Sequence, residues 1–366
     1  MPTKIKRIGV LTGGGDCPGL NAVIRAVVKS ALFQYHLEVL GIEDGFLGLI
    51  ENRMRPLHGE DVSNILTLGG TILGTSNQAN PRKFATRDAG GNVNFIDVTE
   101  QVVNIVNDRK LDAIVCIGGD GTMAGADNLT RHGLNCIGVP KTIDNDLVGC
   151  EMTFGFNTAV TTAAEALDKI HTTAQSHHRV MVVEVMGRNA GWLAASAGAA
   201  AGADVILIPE IHYDLRKICD YLVQRRRAGK HFSIVCVSEG ARPIGGELVI
   251  RERIETSPDP IRLGGIGNVL QQQIEDLTGL ETRATILGHV QRGGTPTPFD
   301  RVLATQYGYH ALELLMAGQR NKVVVLQQGR ITEIDIATVA DKQRLMQLDD
   351  PLIRAARAVG THFGDE

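Results

Sequence analysis

The sequence lacks the marks of several protein classes. Its 366 residues carry 37 Lys plus Arg against 41 Asp plus Glu, so it has no basic excess of the kind that coats nucleic acid. Cys17, Cys116, Cys136, Cys150, Cys219 and Cys236 are the only cysteines, and none sits in a Cys-x-x-Cys pair. They read as reduced, mostly buried thiols rather than a disulfide framework or a zinc site. There are 12 prolines and no Gly-x-y period, which excludes collagen and low-complexity linkers. The most apolar stretch, residues 192–209, is mostly alanine and glycine and contains Asp204, too weak for a membrane span. The amino-terminal MPTKIKRIGVLTGGGD has no apolar core of a signal peptide. The expected location is the cytoplasm, with neither nucleic acid nor membrane as partner.

One residue is in surplus. Glycine occurs 42 times, about 11% against a usual level of roughly 7%. In a folded chain of this size that means many tight turns or close backbone approaches.

The length exceeds the ~150 residues of a typical domain, so two domains are expected. Short β-branched runs alternate with amphipathic stretches throughout. Strands are predicted at Arg7–Leu11, Glu38–Ile42, Ala113–Ile117, Cys136–Val139, Val180–Val185, Val205–Ile208, Ser233–Val237, Thr285–Leu287 and Lys322–Leu326. Helices are predicted at 20–33, 158–174, 215–228, 266–277 and 301–317. This is the pattern of βαβ units and parallel sheets covered by helices. Residues 69–94 and 240–263 have little periodicity and read as functional loops or excursions. Arg225-Arg226-Arg227 reads as the solvated end of a helix.

Ligands of parallel α/β sheets bind beyond the carboxyl ends of the strands. After the first strand comes Thr12-Gly13-Gly14-Gly15-Asp16-Cys17-Pro18-Gly19-Leu20-Asn21. Its glycines let backbone come close to a phosphate at a helix N-terminus, although a plain tight turn explains this string equally well. After residue 117 comes Gly118-Gly119-Asp120-Gly121-Thr122, a second glycine turn that includes a carboxylate suited to Mg²⁺ beside phosphate. After residue 139 comes Pro140-Lys141-Thr142-Ile143-Asp144-Asn145-Asp146. In extended chain its two carboxylates point the same way. One can act as base to a hydroxyl while the other helps hold metal. Arg179, Arg188, Arg283 and Arg292 each stand near a strand end beside glycine or histidine, and guanidinium forks suit phosphate oxygens. His177, His178 and His289 lack zinc spacing. The set reads as phosphoryl transfer to a phosphorylated hydroxyl substrate.

These blocks, with Met186–Gly191 and Thr282–Gly294 continuing into Pro298-Phe299-Asp300-Arg301, resemble 6-phosphofructokinase of the bacterial type in the same order along nearly the whole chain. The resemblance implies two similar three-layer α/β domains with mainly parallel sheets. The nucleotide or donor domain would be 1–155 plus 291–340, and the sugar-phosphate domain 156–290 plus 341–366. It implies fructose 6-phosphate as acceptor, Mg²⁺ as cofactor, fructose 1,6-bisphosphate as product, and a homotetramer with active sites shared between subunits. Asp144 would be the base for the sugar 1-hydroxyl, with Thr142 and Asp146 beside the transferring group. Asp120 would hold Mg²⁺. Gly14, Gly118, Gly119, Gly121, Thr122 and Lys141 would surround the donor, and Arg188 would steady the transferred phosphate. Arg179 and Arg283 from a neighbouring subunit, with His289 and Arg292, would hold the 6-phosphate. Met186, Gly187 and Glu239 would meet the sugar.

The sequence also departs from that family. Gly121 matches ATP users, since pyrophosphate users carry aspartate there, while Lys141 matches pyrophosphate users. ATP is the favoured donor because a side chain at 121 would exclude the nucleotide, whereas a lysine at 141 can accompany either donor. Leu73-Gly74-Thr75-Ser76-Asn77 lacks the arginine that usually follows this turn, and Arg82 or Lys83 could substitute. Arg25, Lys29, Arg53 and Lys230 resemble part of the basic effector site, but His171 stands at an expected arginine and Asp204 at a glutamate. A weakened or altered response to ADP or phosphoenolpyruvate follows. Two alternatives stand beside this reading. One is a non-catalytic binding subunit on the same fold. The other is a lipid or NAD kinase, which would explain Gly118–Thr122 but neither Pro140–Asp146 nor the arginines.

Overall fold

The computed structural model describes residues 5–257 and 260–366. The first four residues of the amino-terminal segment, and Pro258 and Asp259 within the 240–263 stretch, lie outside the described residues.

The first part of the chain runs β1 (Arg7–Thr12), α1 (Leu20–Phe33), β2 (Glu38–Ile42), α2 (Phe46–Ile50), β3 (Met54–Pro56), β4 (Phe84–Arg87) and β5 (Val93–Ile96). It continues through α3 (Thr99–Asp108), β6 (Ala113–Gly118), α4 (Asp120–Arg131), β7 (Cys136–Thr142), β8 (Phe154–Gly155) and α5 (Phe156–His177). Then come β9 (Val180–Val185), α6 (Trp192–Ala200), β10 (Val205–Leu207), α7 (Leu215–Arg227), β11 (Ser233–Ser238), β12 (Ile250–Arg253), β13 (Ile261–Leu263), α8 (Ile266–Thr278) and β14 (Thr282–Ile286). Last are α9 (Pro298–Met316), β15 (Lys322–Gln327), β16 (Arg330–Asp335) and α10 (Pro351–Ala358).

Two sheets carry the molecule. The larger has the order β16-β15-β7-β6-β1-β2-β3, with β8 beside β7. Its interior pairs are parallel, and the edge strands β3 and β16 are antiparallel. The smaller, β10-β11-β9-β14, is parallel throughout. Parallel strands are covered on both faces, which is why β6, β9 and β11 are buried at every position. In β9, Val180 and Val182 enter one core while Met181, Val183 and Val185 enter another, the two-residue alternation of a pleated strand. Residues 341–366 pack mainly on this second sheet, through Met346, Ile353, Ala356 and Phe363. The α/β architecture with mainly parallel sheets is as expected.

Several local expectations need correction. The stretch 240–263 contains the hairpin β12–β13, and the stretch 69–94 runs into the hairpin β4–β5, which ends at Ile96. These strands are short, and Leu263 alone among their residues is buried, so burial imposes no apolar alternation to read. The strand expected at 285–287 begins at Thr282, which places Arg283 inside it. Of the basic helix end, Arg226 and Arg227 are exposed as expected, but Arg225 is half-buried, meeting Asp204 at 2.5 Å and donating to Ser233 Oγ at 3.1 Å. Burial pushes the Asp204 carboxyl up despite that partner. The thiols agree with the sequence reading, since all six cysteines are buried and free.

Candidate active site

A cleft of about 1290 Å³ opens at the carboxyl ends of β1, β6, β7, β9 and β14, the position where parallel sheets bind ligands. Its walls hold Gly14, Gly119, Asp120, Gly121, Thr122, Lys141, Thr142, Asp144, Asp146, Met186, Arg188, Glu239, His289 and Arg292. So 14 of the 18 residues singled out from sequence share one cavity. Gly118, Gly187, Arg179 and Arg283 are not on its wall.

The glycines divide into three kinds. Gly13 and Gly118 are small because Thr122 packs against them: a Cβ would come within 2.6 and 2.2 Å of its Oγ1. Gly187 has φ +126°, and its carbonyl accepts from Ser238 Oγ and from the Gly240 amide. Gly121 differs from both. Its φ is not positive, and an added Cβ would meet nothing within 4 Å. Neither packing nor backbone conformation demands glycine there; the open side is the cleft.

Cations hold the first glycine turn. Lys141 is buried, and its Nζ donates to the Gly15 carbonyl. Arg292 Nη1 donates to the Asp16 carbonyl at 3.0 Å. Burial lowers the Lys141 pKa from the ordinary lysine range.

The carboxylates face them. Asp144 and Asp146 do converge, but not for the reason of extended chain. Beyond β7 the backbone bends, and Asn145 sits left-handed at φ 52°. The Asn145 side chain fixes the bend, accepting from the Thr153 amide at 2.9 Å and donating to the Glu151 carbonyl at 3.3 Å. Thr142 Oγ1 accepts from the Asp144 amide at 3.0 Å and lies 3.3 Å from Asp146 Oδ1. Asp144 Oδ1 is buried without a hydrogen-bond partner. Burial pushes both carboxyls up; Asp144 and then Asp120 push Asp146 further, while Arg292 and Lys141 pull Asp144 back, with Asp120 raising it and Arg188 lowering it to a smaller extent. Glu239 is pushed up to about 7, chiefly by burial and then by Asp144 and Glu184.

The phosphofructokinase family profile matches residues 7–315. The chain belongs to the phosphofructokinase family. It is 47% identical over 366 residues to ATP-dependent 6-phosphofructokinase 2 of Clostridium perfringens (strain 13 / Type A), covering 100% of both chains. It is 46% identical over 331 residues to a pyrophosphate–fructose 6-phosphate 1-phosphotransferase of Amycolatopsis methanolica, covering 90% of this chain and 93% of that one. Among solved structures it resembles Pichia pastoris phosphofructokinase in the T-state. The TM-score is 0.77 at 31% identity over 92% of this chain, which spans only 35% of that longer chain.

This phosphofructokinase cleft contains residues that sequence reasoning passed over. Glu184 is buried on its wall and accepts from the amides of Gly265 (3.0 Å) and Gly267 (2.8 Å), capping α8. The signal was present: one acid inside the apolar run Val180–Val185. Arg251 and Arg262 reach the cleft from β12 and β13, and Asp341 and Gln343 from the far end of the chain. Gln343 donates to Asp120 Oδ2 at 3.1 Å. Lys83 lines the cleft and stands 4.8 Å from the Phe95 ring centroid; Arg82 is not on the wall. Arg179 and Arg283 stand apart from the cleft and share Glu281, at 2.8 and 2.7 Å.

Proposed function

We infer that the protein phosphorylates fructose 6-phosphate at its 1-hydroxyl, with ATP as donor, to give fructose 1,6-bisphosphate and ADP in glycolysis. The observation that carries the donor choice is Gly121, a glycine required by nothing in the fold and open to the cleft. Lys141, the feature shared with pyrophosphate users, already has a role within the chain at the Gly15 carbonyl. It is therefore compatible with ATP.

Asp144 is the base. Its side chain lines the cleft with one carboxyl oxygen left without a hydrogen-bond partner, and its raised pKa brings it nearer the value suited to proton transfer. Thr142 and Asp146 flank the transferring group, and Arg188 balances its charge. His289 and Arg292 meet the 6-phosphate, and Met186 and Glu239 the sugar, with Gly187 buried behind the wall as the turn that carries them. Gly14, Gly119, Gly121, Thr122 and Lys141 form the donor side, with Gly118 packed behind Thr122.

Among the described residues no three acidic, histidine or cysteine side chains come together to cage a metal. Asp120, on the cleft wall in the first turn of α4, would hold Mg²⁺ together with phosphate oxygens, the usual manner of this ion. When bound it would neutralise charge on the donor phosphates.

The larger sheet, in 1–155 plus 291–340, serves as donor domain, and 156–290 plus 341–366 as sugar-phosphate domain. Arg179 and Arg283, lying off the cleft, are available to a neighbouring subunit's site in a homotetramer. Six free thiols suit a reducing cytoplasm. The test is Asp144→Asn. Turnover should fall by at least ~100-fold with fructose 6-phosphate binding largely kept. Retained turnover would remove the base assignment.

A further inference from the structure

A strap near the carboxyl end, residues 341–346, joins parts of the cleft that are far apart in sequence. Gln343 forms an isolated antiparallel bridge with Leu147, just beyond the aspartate loop. The Arg344 amide donates to the Asp146 carbonyl at 2.6 Å. Its guanidinium donates twice to the Asn145 carbonyl, from Nε at 3.2 Å and Nη2 at 2.8 Å. Asn145 is the left-handed residue between the two aspartates. The same guanidinium lies over the Trp192 ring, 4.3 Å from its centroid. Trp192 Nε1 donates back to the Arg344 carbonyl at 2.9 Å. Two residues on, the Met346 amide donates to Glu210 Oε1 at 2.9 Å, and that carboxylate also accepts from the Gly191 amide at 3.0 Å. Gly191 closes the turn that carries Arg188.

We propose that Arg344 is a positioning residue that locks the Asp144–Asp146 loop to the Arg188 turn through Trp192. The left-handed Asn145 turns its carbonyl to the strap, and a guanidinium fork fixes the direction of that carbonyl as a single ammonium cannot. The flat stacked face fixes the fork in turn. The two aspartates and Arg188 approach the reacting groups from different sheets, so their relative placement depends on such a link. A misplacement of about 1 Å costs roughly 100-fold in rate. This deepens the kinase reading above and rests on it.

Trp192 is the only tryptophan in the chain, so its emission reports the strap directly. Arg344→Lys and Arg344→Ala are measured in the full-length enzyme for kcat, KM for each substrate, and tryptophan emission. The expected result is a kcat lowered about 10- to 100-fold, with KM values within about threefold. Lysine should be less impaired than alanine, and Trp192 emission shifted in both. If alanine fails to fold, Trp192→Phe keeps a ring and removes only the Nε1 donor; it should lower kcat by a smaller factor in the same pattern. Shifted emission with wild-type kcat would overturn the proposal, as would raised KM with unchanged kcat. A strap variant that loses kcat while Asp144→Asn stays active would overturn the base assignment and leave the coupling intact.

Discussion

Glu239→Gln should make the ligand-free protein more stable at alkaline pH while removing much of its activity. The Glu239 carboxyl is pushed up from 4.5 to about 7 by burial and by neighbouring Asp144 and Glu184. A carboxyl raised in the fold holds its proton more tightly there than in the unfolded chain. Its contribution to stability is therefore whole below about pH 4.5 and is lost as pH climbs to about 7. At about 1.36 kcal/mol per pH unit, a rise from 4.5 to about 7 corresponds to roughly 3 kcal/mol at pH 8. Glutamine cannot ionise and escapes that penalty. Relative to wild type the variant should gain about 3 kcal/mol at pH 8 but only about 1 kcal/mol at pH 5. For a chain of this length that is a rise in melting temperature of a few degrees at pH 8. Thermal melts of both proteins without ligands, at pH 5 and pH 8, measure it. A variant no more stable than wild type at pH 8, or a gap that does not widen between the two pH values, would refute the reasoning.

Two further outcomes follow. Gly121→Asp should leave the melting temperature unchanged, because its Cβ meets nothing. It should cut ATP turnover by about 100-fold or more, through a like charge worth up to about 4 kcal/mol beside the donor phosphates; steady-state kinetics with ATP would check this. ADP should activate weakly. Arg53 is already engaged by Asp44 at 2.7 Å and Glu51 at 2.8 Å, Asp204 is held by Arg225, and His171 rests edge-on to Phe232. Rates at subsaturating fructose 6-phosphate with and without ADP measure the response, and strong activation would contradict it.

Much of the fold was legible because buried parallel strands must be apolar throughout, and β6, β9 and β11 stand out for that reason. Most of the site was legible because glycine turns and carboxylates follow those strands directly. The exceptions share a cause. The strap carries no periodicity, and its function lies in partners 152 and 199 positions away. Arg225 reads as a solvated helix end until the fold brings Asp204 to it. The convergence of Asp144 and Asp146 was anticipated through extended geometry, whereas the chain achieves it with a left-handed Asn145. The hairpins at 84–96 and 250–263 bury too little to leave a pattern.

The most direct measurement is turnover of the purified protein with fructose 6-phosphate and Mg²⁺, supplied in parallel with ATP or with pyrophosphate. Formation of fructose 1,6-bisphosphate with ATP, and little or none with pyrophosphate, is the predicted result. Turnover with pyrophosphate alone would contradict the account, because the open side of Gly121 would then have no nucleotide to admit.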